Sequence, residues 1–137
     1  MNRHPYLRAY MAGIAVPTVF MLAIFAFFCT VRFVYRVDVL IERVIVFPLA
    51  LVPNLWGVWN ILYAALHSHR RLPLGIHGAL LPAILLPLAL AGARTLVPEF
   101  PAYVVPAFWM ILPGLLIVYY LAWKYLVGFL NGMLGIA

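Results

Sequence analysis

Residues 44–66 read VIVFPLALVPNLWGVWNILYAAL, twenty-three residues without a charge. As a helix they rise about 34 Å, enough to cross the ~30 Å of hydrocarbon in a bilayer. Residues 9–31, 75–93 and 102–123 are apolar runs of similar length. In water such runs would have no core large enough to hide in. The chain of 137 residues is 68% hydrophobic and 9% charged, with a mean hydropathy of +1.11. Soluble domains are nearer half apolar and a quarter charged, so the natural solvent here is lipid. The expected fold is an all-α integral membrane protein, a single domain built as a four-transmembrane-helix up-down bundle. The loops between runs are short, which favours antiparallel neighbours.

Proline falls in every predicted span: Pro17 in the first, Pro48 and Pro53 in the second, Pro82 and Pro87 in the third, Pro106 and Pro113 in the fourth. Each removes a backbone donor, and kinks are expected there. The four-residue string Pro48-Leu49-Ala50-Leu51 recurs as Pro87-Leu88-Ala89-Leu90. These are common residues in an apolar chain, but an internal repeat is also how many transporters are built.

Charge sits at the ends of the runs. Arg8, Arg32, Arg70, Arg71 and Lys124 are placed to anchor spans at the headgroups, with anionic lipid as their partner on the basic side. The net charge of +6 is scattered singly or in pairs, which argues against nucleic acid. With four spans, one side holds Arg3, Arg8, Arg70, Arg71 and Lys124 and no acid. The other holds Arg32, Arg36, Arg43 and Arg94 with all three acids, Asp38, Glu42 and Glu99. The count of basic residues favours the N- and C-termini inside, in a cytoplasmic (inner) membrane. The first run lacks a small-x-small cleavage pattern and reads as an uncleaved signal anchor. The single Cys29 excludes an internal disulfide.

Tyr119, Tyr120, Trp123 and Tyr125 surround Lys124 and resemble an aromatic belt around a snorkelling lysine. Residues 125–137 are apolar and uncharged. They either continue the fourth helix or lie along the interface.

Asn54 and Asn60 are the amides of the second run. An amide in hydrocarbon must find a partner, so both are expected to face the bundle. They stand about 120° apart around a helix and need separate neighbours. With Trp56 and Trp59 they form either a polar pocket or pathway, or hydrogen bonds that hold helices together. His67, His69 and His77 flank the second loop. Three imidazoles can hold a transition metal, and His67 with His77 could hold a haem. The sequence requires neither cofactor.

Gly75, Ala79 and Ala83 make a small-x-x-x-small ladder, and Gly128 and Gly132 a G-x-x-x-G. Such faces let helix backbones approach closely, within a bundle or between copies. Nucleophile elbows, phosphate loops and metalloprotease motifs are absent from the sequence, and the reading leans away from an enzyme. Three functions remain. The first is a non-enzymatic accessory or assembly subunit of a membrane complex. The second is a small homo-oligomeric transporter or channel with a polar pathway at Asn54 and Asn60. The third is a haem or metal protein at the three histidines.

Overall fold

The computed structural model describes residues 4–38, 47–66, 72–96 and 104–136. Among them the protein is all helical: α1 (Pro5–Phe33), α2 (Phe47–Leu66), α3 (Leu74–Leu96), α4 (Val104–Leu121), a π-helical segment (Ala122–Val127) and α5 (Gly128–Met133). The last three follow one another without a break. Residues 105–133 therefore form a single helical run of 29 residues.

Three helical stretches are long and apolar enough to cross a membrane: Pro5–Phe33, Leu49–Leu66 and Val105–Met133. The apolar stretch Leu74–Leu88 of α3 is shorter. Pro17, Pro53, Pro82, Pro87 and Pro113 all lie inside helices that continue past them.

The chain divides into two compact units, Met1–Ser68 with Leu130–Ala137, and His69–Phe129. In the first unit α1 and α2 pack antiparallel. The buried residues of α1 are Ala9, Ala12, Gly13 and Pro17. They share one face, at steps of three and four, and all are small. That face admits α2 to backbone distance. A Cβ on Gly13 would stand 2.6 Å from the Trp56 carbonyl oxygen and 2.9 Å from the Gly57 Cα. A Cβ on Gly57 would stand 2.7 Å from Ile14 Cγ2. The crossing is thus glycine on glycine. Dispersion and close packing hold it, because lipid supplies no hydrophobic drive between spans.

In the second unit α3 packs antiparallel on the long C-terminal run. Trp123 is fully buried, and its indole lies where a side chain on Gly78 would have to go. A Cβ on Gly75 would stand 2.7 Å from the Tyr120 ring. The expected aromatic belt is therefore corrected at one member. Trp123 fills a glycine notch in the protein, Tyr119 and Tyr120 are half-buried, and Tyr125 is exposed. The local helix accommodates this by widening. The Gly128 N–H donates to the Trp123 carbonyl, five residues back, and Val127 is buried along with Trp123.

The C-terminal residues continue the helix to Met133 rather than leaving it. The stop is a glycine in the left-handed region. Gly135 has φ 66°, the Ile136 N–H donates to the Asn131 carbonyl at 2.9 Å, and the Gly135 N–H donates to the Gly132 carbonyl at 3.2 Å. That double closure is the Schellman arrangement, which satisfies carbonyls left over at a helix end.

Candidate functional site

The polar centre of the first unit is built from one residue of each of its three helical pieces. Asn60 comes from α2, Asn131 from α5, and the Ala9 carbonyl from α1. Both asparagines are fully buried. Asn60 Nδ2 donates to Asn131 Oδ1 at 2.8 Å, and Asn131 Nδ2 donates back to Asn60 Oδ1 at 3.1 Å. The second hydrogen of Asn60 Nδ2 goes to the Ala9 carbonyl at 2.8 Å. A primary amide carries two N–H donors, and both of those on Asn60 are used. Small residues make this possible, since Ala9 and Gly13 leave room for the Asn60 side chain against α1.

Arg8 closes the same end of the unit. Its Nη1 donates to the Leu134 carbonyl at 3.3 Å. Leu134 is the cap residue of the final helix, so a guanidinium sits at the negative end of a helix dipole. Arg8 was expected at the headgroups as an anchor. In the structure it is half-buried and ties the first helix to the last. Arg32, the other anchor on α1, is half-buried, with its guanidinium 5.9 Å from the Phe33 ring centroid.

Asn54 has a different environment. The expectation that it faces inward is corrected, since its side chain is exposed. Nδ2 donates to the carbonyl of its own helix at Ala50, 2.6 Å away, and Oδ1 accepts from the Tyr10 hydroxyl of α1. The two amides of α2 therefore have separate partners, and among the described residues no hydrogen bond joins them. Trp56 is buried beside Asn60, and Trp59 is half-buried.

In the second unit His77 is buried, with its ring edge-on to Trp123 at 5.9 Å between centroids. His67, His69, Arg70 and Arg71 lie outside the described residues, as do Glu42, Arg43 and Glu99. Among the described residues no three His, Cys, Asp or Glu side chains come together as a metal would require. Lys124 is exposed, with Nζ 5.7 Å from the Tyr120 ring centroid and 5.2 Å from that of Tyr125. It was expected at the end of the fourth span and instead lies nine residues before the end of the helical run.

The two small-residue patterns meet different fates. In the ladder on α3, Gly75 is buried under Tyr120 while Ala79 and Ala83 are half-buried. The closest approach is at Gly78, outside that ladder. Gly128 would bring a Cβ within 3.4 Å of Leu74 Cδ2, whereas a Cβ on Gly132 would meet nothing within 4 Å.

Sequence reasoning missed Asn131, although the signal was present. It is the one amide in the apolar stretch 125–137, and the argument applied to Asn54 and Asn60 applies equally to it. Tyr10 and Gly13 were missed because a tyrosine or glycine near a span end has many roles.

Comparisons of the chain with protein-family models, with curated proteins and with solved structures find no match.

Proposed function

We propose that this chain is a four-span accessory or assembly subunit of a membrane complex, with both termini on the inner side of a cytoplasmic membrane. The observation that carries the reading is the use made of Asn60. The amide that could have lined a pathway is fully buried, and both its N–H groups are committed to other helices of its own unit. Polar chemistry inside this unit holds helices in register. Such a chain offers partners a shaped, rigid surface rather than a reaction.

The four-span topology is supported by the path of the chain. Asn60 meets Ala9 and Asn131, and Arg8 meets Leu134. The start of α1, the end of α2 and the end of the last helix thus share one level of the unit. If residues 105–133 cross a membrane as one helix, an even number of crossings in all calls for one more between α2 and that run. Among the described helices α3 fits that crossing: its 23 residues rise about 34 Å, with Leu74–Leu88 as its apolar stretch. The basic balance of the sequence then favours the side carrying both termini as the inner one.

Native mass spectrometry on tagged protein, gently extracted from its own host's membranes, tests the assignment. An unrelated membrane subunit in stoichiometric association is expected. Homo-oligomers alone would sink the accessory reading and move the weight to transport.

A further inference from the structure

We propose that the exposed face of α2 around Asn54 is a dimer seam, and that its partner is the same face of a second copy of this chain. The inference goes beyond the accessory reading and does not depend on it.

The argument starts from hydrogen-bond capacity. A carboxamide has two N–H donors and two acceptor lone pairs on oxygen. Among the described residues Asn54 uses one donor, to the Ala50 carbonyl, and one lone pair, for the Tyr10 hydroxyl. One donor and one acceptor remain, on an exposed side chain eight residues into an apolar helix. Lipid tails can satisfy neither, and polar groups left open in hydrocarbon are costly. The Ala50 and Tyr10 bonds also hold the amide in one place, so little side-chain freedom is lost when a partner arrives.

Two properties select the occupant. A carboxamide is self-complementary, since one donor and one acceptor on each side close a reciprocal pair. This chain already makes such a pair between Asn60 and Asn131, at 2.8 and 3.1 Å. A second copy also presents its amide at the same depth in the bilayer. A two-fold axis along the membrane normal brings equal depths together in an isologous interface, and an unrelated helix offers no such guarantee.

The surroundings fit a helix seam. Leu51, Val58 and Leu62 are exposed with Asn54 between them. The steps 51, 54, 58, 62 are three, four and four, which keep all four within an arc of about 80°. Three such steps cover eleven residues, about 3.67 per turn, the spacing of a straight or gently right-handed helix pair, and a single polar residue in a seam sets register and partner number.

Cysteine cross-linking in native membranes tests the seam. In a Cys29→Ser background, Leu51→Cys, Val58→Cys and Leu62→Cys are each expected to give covalent dimers of this chain, and Ile117→Cys on α4 is not. Adding Asn54→Leu to Val58→Cys is expected to remove most of that dimer, and Asn54→Gln to retain it. Energy transfer between labelled copies in liposomes is expected to show the dimer dissociation constant rising about 5- to 30-fold with Asn54→Leu, the weight of one interhelical polar contact. Three results would overturn the proposal: seam dimers no more abundant than at position 117, seam dimers unaffected by Asn54→Leu, or seam cross-links formed only to a different protein. If Asn54→Leu does not accumulate, the four-position comparison decides alone. Because a dimer inside a larger complex gives the same cross-links, failure here leaves the accessory reading standing, and the converse also holds.

Discussion

The side chains of Asn60 and Asn131, 71 residues apart in sequence, exchange hydrogen bonds in both directions at 2.8 and 3.1 Å with no exposure to solvent. The pair brings the end of α2 and the end of the chain to one point, and the Ala9 carbonyl adds α1. Its energetics follow from the asymmetry of buried polar groups. Leaving one amide without its partner costs more than replacing both.

Asn60→Leu and Asn131→Leu are each expected to destabilise the protein by about 1–3 kcal/mol in detergent unfolding. Asn60→Leu should be the worse of the two, since it also removes the bond to Ala9. The double variant should cost clearly less than the sum, because neither amide is then stranded. Strict additivity in that cycle would mean that the pair is not coupled.

The glycine crossing of α1 and α2 makes an equally direct prediction. Gly13→Val puts a side chain against backbone atoms, the Trp56 carbonyl and the Gly57 Cα, which cannot rotate away. A loss of about 1–3 kcal/mol is expected. Gly132→Ala meets nothing within 4 Å and should change the thermal unfolding midpoint little. If both substitutions behave alike, the crossing has been placed on the wrong face.

Arg8→Ala removes the cation from the end of the final helix. A stability loss of about 0.3–1 kcal/mol is expected, together with faster amide exchange confined to residues 130–136. Gly135→Ala should fray the same segment by another route, since an alanine is strained at φ 66°. Exchange that accelerates uniformly along the chain in Arg8→Ala would rule out a capping role.

The chain path predicts sidedness. With Cys29 replaced by serine, His4→Cys and Ile136→Cys should react with a membrane-impermeant maleimide from the same side. Arg36→Cys should react from the other. Labelling of positions 4 and 136 from opposite sides would mean an odd number of crossings, and α3 would not be a span.

Much of the secondary structure was legible because hydrophobic transfer is summed residue by residue along the chain. Residues 9–31 and 44–66 could be marked without knowing what touches them, and α1 and α2 occupy nearly those ranges. The helix ends were less legible. The run expected to close near residue 123 continues to Met133, because Trp123 is absorbed by Gly78 and the true stop is the left-handed Gly135. A tryptophan beside a lysine looks the same in sequence whether it faces a headgroup or a glycine notch.

By itself the sequence determined that this protein is helical and apolar enough for a membrane, and that its few amides would need partners. Only the tertiary structure decided which partners. Asn60 turns inward to Asn131 and Ala9, Asn54 stays exposed beside Tyr10, and Arg8 bonds the end of the last helix. The physical reason is that hydrophobicity is a property of each residue, while a hydrogen bond is a property of two. Where two residues meet depends on helix register, which Gly13 and Gly57 set where α1 and α2 cross.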